Sequence, residues 1–288
     1  TDLCPGYLQI PAGRRSSTDN VKNRVAVLVT GPCSEYQQAK WRGGYGARFA
    51  DFYGEDSDHW LAFDCYAGDI PTAQELVEDY GVGTVFVTGS KFDAHDDVKY
   101  PWLVPLQETL HSLSFDSRDH SVRIVGVCFG HQLMARVLGG HTGRSDVGWC
   151  LGPQKIRLLP EFQQHWAPLD AEITLQQMHR DAVSALPPQA TLLATSDFCT
   201  NEIFSWHGPS AKILCVQSHP EFENDEVKAR LQGLYEDGLM SDAEFARANE
   251  WFDTYKQGQS AAGAAKVDPV TQALRDFAHW RADLPTPE

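Results

Sequence analysis

The sequence predicts an α/β fold built on a doubly wound, mostly parallel sheet. Three observations carry that reading. Short, apolar, β-rich runs alternate with helical patterns through the first half of the chain. One of those runs passes through a glycine-flanked cysteine directly into a helical pattern, at Gly126-Val127-Cys128-Phe129-Gly130-His131-Gln132. A late apolar run, Ala211 to Val216, ends in Gln217-Ser218-His219-Pro220-Glu221, and a proline there stops a strand.

In chain order, residues 1–23 read as an N-terminal arm. Arg24 to Thr30 is a first buried strand. Residues 36–53 carry an amphipathic helical pattern that Gly43, Gly44 and Gly46 interrupt. Trp60 to Cys65 is a second strand, Thr72 to Asp79 a short helix, and Thr84 to Thr88 a third strand. Residues 101–118 suit a helix. Ser121 to Val125 then leads as a strand into the cysteine turn, and Leu133 to Leu138 is its helix. From 139 to 217 the pattern changes. Gln154 to Leu158, Ala171 to Leu175 and Thr191 to Thr195 are short β-like runs broken by prolines, which suggests a small antiparallel β layer beside the main sheet. Charged helical patterns dominate from residue 223. Residues 257–263 read as a linker to a last amphipathic helix near Pro269 to Trp280. The expected division is an arm over 1–23, a catalytic domain over 24–238 and a C-terminal helical extension over 239–288.

Bulk properties narrow the function classes. The 288 residues are 42% hydrophobic with 8 Trp, enough for a substantial core. A net charge of −15 argues against a nucleic-acid or anionic-membrane partner, since both favour a basic face. The seven cysteines show no C-x-x-C pair, and Cys33, Cys65, Cys150, Cys199 and Cys215 lie in or beside apolar stretches. They read as reduced thiols, which favours a reducing, cytoplasmic compartment. No run of 18 apolar residues suggests a membrane span.

The cysteine turn carries the chemistry. A thiol at a strand-to-helix turn faces the unpaired N–H groups and positive dipole end of the helix, which favours the thiolate. The Phe129 N–H is placed there to help hold an oxyanion. His219, at the end of its own strand, is the candidate base, and Glu221 the carboxylate that orients it. The Thr88-Gly89-Ser90 turn offers Gly89 as a second oxyanion donor, with Ser90 beside it as a substrate contact. His179 with Asp181 is readable as a metal pair, a second base, a loop near the mouth of the site or a structural histidine. No further ligand cluster at metal spacing accompanies it. Asp93, His95, Asp96 and Asp97 are readable as a solvated loop or as a site for a substrate amino group.

The G-x-C-x-G-H-Q turn together with His-Pro-Glu resembles the class I glutamine amidotransferase-type domains, over roughly residues 24 to 235. The Thr88-Gly89-Ser90 turn and the segment Met178 to Val183 belong to the same resemblance. Ser34-Glu35-Tyr36 with Gly43-Gly44-Tyr45, Gly89-Ser90 with Asp93-Ala94, Pro101-Trp102 and Val147-Gly148-Trp149 resemble one branch, the γ-glutamyl peptidases that act on glutathione conjugates. The turn after the third strand often reads Gly-Gly-Pro in amidotransferases. Here it reads Gly89-Ser90-Lys91, which favours the peptidase-like branch.

The resemblance implies that Cys128 is the nucleophile, His219 the base and Glu221 the third member of a triad. It implies that Gln132 helps hold the γ-glutamyl group; a competing role for Gln132 is to cap the first turn of its helix. Together with the turn residues, the substrate-binding candidates are Ser90, Gln132 and His179. The implied activity is hydrolysis of γ-glutamyl amide bonds, in glutathione, a glutathione conjugate or a similar compound, through a γ-glutamyl thioester and without a cofactor. Two alternatives stand beside it: a glutaminase subunit feeding ammonia to a separate synthetase, and a non-catalytic regulatory protein on the same fold. The implied partner is a small γ-glutamyl substrate, with a homodimer or a synthetase chain left open.

Overall fold

The first strand, β1 (Arg24–Val29), is apolar and buried from Val25 onward. Such a run fits the inside of a parallel sheet covered on both faces. The computed structural model of the protein describes residues 23–41, 43–56, 58–116, 122–166, 170–259 and 267–285, with backbone alone for 256–259. The expected arm over 1–23 and most of the expected linker over 257–263 therefore lie outside the described residues.

After β1 come α1 (Glu35–Lys40) and α2 (Gly44–Tyr53). The helical pattern breaks at Gly43, which adopts φ 89° between the two helices, whereas Gly44 and Gly46, also expected to interrupt it, lie inside α2. Ser34 starts α1 with a capping box: its hydroxyl accepts from the Gln37 N–H, and Gln37 returns a bond to the Ser34 N–H. β2 (His59–Asp64) and β3 (Thr84–Val87) follow, separated by a 3-10 turn at Cys65–Ala67 and a π-helical turn at Glu75–Asp79. α3 (Leu103–Phe115), β4 (Val122–Val127) and α4 (Phe129–Val137) complete the half that the periodicity foresaw.

The second half holds β5 (His141–Arg144), β6 (Cys150–Leu158), α5 (Pro160–Trp166), β7 (Glu172–His179), β8 (Asp181–Ala185), β9 (Thr191–Thr195), β10 (Ile203–His207) and β11 (Ala211–Val216). Three helices close the chain: α6 (Asn224–Glu236), α7 (Asp242–Gln259) and α8 (Pro269–Ala278).

One nine-stranded sheet runs in the order β2-β1-β3-β4-β11-β10-β9-β6-β7. β2, β1, β3, β4 and β11 are mutually parallel. β10, β9, β6 and β7 continue the sheet in antiparallel fashion. The mostly parallel α/β class read from the sequence is the fold observed. The small antiparallel layer is present as well, but it consists of β5 and β8. The three β-like runs expected to form it instead became β6, β7 and β9, an extension of the main sheet. Strand pairing between distant segments decides that difference, and it leaves no local mark in the sequence.

The helices after residue 238 share the core of the rest of the chain. Val270, Leu274 and Phe277 of α8 pack in one buried cluster with Val25, Phe49 and Val125. Asp268 caps α8, accepting from the Thr271 N–H at 2.8 Å, and Pro269 opens it. Arg123 of β4 lies 4.8 Å from the Phe277 ring and 4.4 Å from the Trp280 ring, and it donates to the Ala282 carbonyl at 2.6 Å. α7 lies on β6, where Gly152 at φ 106° leaves room for Phe252. Among the described residues no helix is long and apolar enough to cross a membrane.

Candidate active site

Three parallel strand ends converge. β4 and β11 are neighbours in register, with Val127 opposite Val216, and β3 flanks β4 with Val87 opposite Gly126. Loops leaving these ends fall on the same edge of the sheet.

Leaving β4, the chain turns at Cys128, whose N–H donates to the Val216 carbonyl at 2.8 Å. Cys128 adopts φ 53°, ψ −99° and caps α4. A residue with a β-carbon is strained there, by about 1–3 kcal/mol. The flanking glycines serve a different need. A methyl group on Gly126 would sit 2.7 Å from the Gly130 carbonyl oxygen, and one on Gly130 would sit 2.3 Å from the Val87 carbonyl oxygen. They let α4 press against the ends of β3 and β4, while the cysteine itself carries the strained angle.

The amides around the thiol divide cleanly. The Gly130 N–H is engaged with the Thr88 carbonyl at 3.2 Å, and the Cys128 N–H with Val216. The N–H groups of Phe129 and Gly89 have no hydrogen-bond partner among the described residues. The turn holding Gly89 is stapled to the end of β1: the Thr30 N–H donates to Thr88 Oγ1 at 3.0 Å, and Ser90 Oγ donates to the Thr30 carbonyl at 2.7 Å.

His219 is clamped from every side. Its N–H donates to the Gln176 carbonyl of β7 at 2.8 Å. Its Nδ1 lies 2.8 Å from Glu221 Oε1. The Phe222 ring stacks on it with centroids 4.0 Å apart and an interplanar angle of 3°. Gly89 lies against the ring edge, where a methyl group would sit 2.5 Å from His219 Cε1. Burial disfavours charge on this imidazole. The Cys128 side chain and the Glu221 carboxylate outweigh that, by charge and by hydrogen bonding, and hold its pKa up at about 10. Glu221 is fully buried beside the ring, and its backbone carbonyl accepts from Arg48 Nε at 3.1 Å.

Cys128 and His219 open on a cleft of ≈ 250 Å³ that Ser90, Gln132 and His179 also line. Gly89, Phe129 and Glu221 are buried at its edge and are not part of the lining. Ser90 uses its hydroxyl in the turn, donating to Thr30 and accepting from the Phe92 N–H at 3.1 Å. Gln132 donates through Nε2 to the Asp181 carbonyl at 2.8 Å and to Gln217 Oε1 at 3.1 Å. Both of its protons are thus taken, which leaves Oε1 as the atom for a ligand. His179 Nδ1 pairs with the Asp181 carbonyl at 3.0 Å, so that nitrogen carries the proton. Burial pushes His179 down to about 4, and its Nε2 is buried with no hydrogen-bond partner. His131, next to the cysteine turn, is fully buried in the core, where desolvation pushes it down to about 3.

Sequence reasoning passed over two groups here. Gln217 Nε2 lies 3.6 Å from Cys128 Sγ and so links Gln132 to the thiol. The signal was its position two residues before His219, on the same side of an extended segment. Glu202, from outside every motif, is fully buried beneath Ser218. Burial raises its carboxyl to about 7, against hydrogen bonds from Ser196 (2.6 Å) and Gln177 (3.0 Å). Of the acidic stretch, Asp93 reaches the cleft and His95 pairs with Asp181 at 3.2 Å. Among the described residues no group of three His, Cys, Asp or Glu is placed to hold a metal ion.

Residues 110–232 match the family described as Glutamine amidotransferase class-I. Gamma-glutamyl peptidase 3 of Arabidopsis thaliana is 31% identical over 231 residues, which span 78% of this chain and 87% of that protein. Gamma-glutamyl peptidase 4 of the same plant is 30% identical over 209 residues, 71% of this chain and 78% of that protein. The solved structure of a glutamine amidotransferase from Thermotoga maritima superposes with a TM-score of 0.57 at 17% identity, covering 89% of this chain and 95% of that one. That likeness is of fold alone. The matched span holds the strained cysteine, its helix and the His-Pro-Glu segment, and the chain belongs to the class I glutamine amidotransferase family.

Proposed function

We propose that the protein hydrolyses γ-glutamyl amide bonds, in glutathione, a glutathione conjugate or a similar γ-glutamyl peptide, through a γ-glutamyl thioester on Cys128. The observation that carries this reading is the placement of Cys128 beside an imidazole that is clamped by Glu221, Phe222 and Gly89.

The steps follow from these groups. The Cys128 proton resides on His219, whose imidazolium Glu221 supports. The thiolate attacks the γ-carbonyl carbon, and the carbonyl electron pair moves onto oxygen. The unengaged N–H groups of Phe129 and Gly89 hold that oxygen, at about 3–4 kcal/mol per donor. The C–N bond breaks as His219 passes its proton to the departing amine. A water molecule then gives His219 a proton and attacks the thioester. The C–S bond breaks, glutamate leaves, and the pair is restored. Gln132 Oε1, His179 Nε2 and Asp93 are the acceptors for the α-ammonium of the glutamyl group. Gln217 steadies the sulfur from the opposite side.

This reading needs no second chain. The isolated protein should release glutamate from γ-glutamyl peptides, and Cys128→Ala should abolish that release. If glutamate appears only when a synthetase chain is added, the glutaminase-subunit reading replaces this one.

A further inference from the structure

The cleft carries more positive charge than a γ-glutamyl group needs. Four cationic side chains line it: Lys91, Arg144, Arg180 and Arg230. Arg144 is committed, pairing with Asp181 at 2.6 Å and with Asp93 at 3.1 Å. Lys91, Arg180 and Arg230 form no ion pair or side-chain hydrogen bond to a carboxylate among the described residues. This occurs in a chain whose net charge is −15, where a carboxylate partner is statistically easy to find.

The placement of the three is uneven. Lys91 follows the Gly89-Ser90 turn. Arg180 directly follows the end of β7, and Arg230 lies on the neighbouring α6. β7 and α6 are tied together by Gln176 Nε2 donating to Asn224 Oδ1 at 2.6 Å. Arg180 lies over the Trp149 ring at 5.9 Å, two residues past Met178, whose carbonyl is 3.8 Å from Cys128 Sγ. Arg230 is half-buried and Arg180 is exposed. Two carboxylates feel the field of Arg180, and both are engaged elsewhere: Asp181 pairs with Arg144 at 2.6 Å, and Glu244 accepts from the Trp149 N–H at 3.0 Å and from the Ser241 hydroxyl at 2.7 Å. For Arg230, half-buried without an acceptor, that state is costly, and the natural acceptor for the fork of donors on either guanidinium is a carboxylate.

A γ-glutamyl group brings one ammonium and one carboxylate. Lys91 suffices for that carboxylate. Arg180 and Arg230 are then left for a second one, which glutamine does not have. We propose that Arg180 and Arg230 bind a free carboxylate on the departing amine, so that the enzyme selects γ-glutamyl peptides with an open C-terminus over glutamine and over C-terminally blocked peptides. This rests on the γ-glutamyl hydrolase reading above.

The test compares kcat/KM for γ-Glu-Cys-Gly, its C-terminal amide and glutamine, using the full chain and the variants Arg180→Met, Arg230→Met and the double variant. The wild-type protein should prefer the free acid over the amide by about tenfold or more, the size of one charge-assisted hydrogen bond. In the double variant that ratio should fall close to one, through loss on the acid and little change on the amide. Binding of both peptides to Cys128→Ala protein, measured by calorimetry, should show the same preference and the same loss in the Arg variants. Equal use of acid and amide by the wild-type protein overturns the inference while the hydrolase reading stands. Variants that lose both substrates equally overturn it as well. Failure to hydrolyse any γ-glutamyl compound removes the parent reading, and the inference falls with it.

Discussion

At Gly89 the backbone runs against the edge of the His219 ring, and a single methyl group would occupy space 2.5 Å from Cε1. The ring cannot retreat easily, because Phe222 covers one face and Glu221 holds Nδ1. Gly89→Ala should therefore lower kcat/KM by roughly a hundredfold or more, the usual result of displacing a catalytic group by about an ångström. The melting temperature should fall as well, since overpacking a buried contact costs about 1–3 kcal/mol. Normal activity in Gly89→Ala would show that the ring position is not critical. Glu221 offers a second residue-scale test. His219 has its pKa raised to about 10 in the folded protein, above the unfolded value of about 6.5. Its contribution to stability is thus complete below pH 6.5 and is lost as pH rises through about 10. Glu221→Gln removes one of the two supports, so this high-pH loss should begin at lower pH; denaturant unfolding followed from pH 6 to pH 10.5 measures it. The residues most legible in the sequence were those whose meaning is local: Cys128 between its glycines, and His219 before a proline and a glutamate. Gln217 and Glu202 were harder to see, because a buried amide or carboxylate is explained only by what folds around it.

At the scale of elements, the parallel strands and their helices were readable because each carries its own period and its own punctuation. The antiparallel extension was not, since β6, β7 and β9 find their neighbours across long stretches of chain. α5 begins at Pro160, and a proline there is ambiguous in the sequence: it breaks a strand, but it also suits the first turn of a helix. The role of α8 was equally hidden, because a strong amphipathic pattern says that a face will be buried without saying against what. The observed answer is the cluster shared by Val25, Phe49 and Val125. Phe277, fully buried there, should cost about 3–5 kcal/mol when replaced by Ala, measured by urea unfolding. A value near zero would mean that α8 is an appendage. Gly152→Ala probes the seat of α7. With φ 106° and Phe252 Cε2 3.0 Å from the added carbon, it should destabilise the protein by about 1–3 kcal/mol and leave catalysis intact.

For the whole molecule, an acidic chain folds so that its cleft is lined by four cations against two carboxylates, and opposite charges on surface and site have a consequence for rate. Encounter with an anionic γ-glutamyl peptide should depend on ionic strength, and KM should rise as salt is increased from low to about 0.5 M. A KM indifferent to salt would remove electrostatic attraction from the account. Composition made the surface charge plain, whereas the cleft's sign depended on which arginines are neutralised by carboxylates from other elements. The claim beneath all of this is that Cys128, deprotonated by a clamped imidazole, takes the glutamyl group covalently. Rapid acid quenching of the protein during turnover of a γ-glutamyl peptide, followed by mass spectrometry of its fragments, tests it most directly. The account predicts one glutamyl adduct, on the peptide containing Cys128, that disappears as substrate is exhausted and is absent in Cys128→Ala. Continued glutamate release by Cys128→Ala, with no adduct anywhere on the chain, would contradict it.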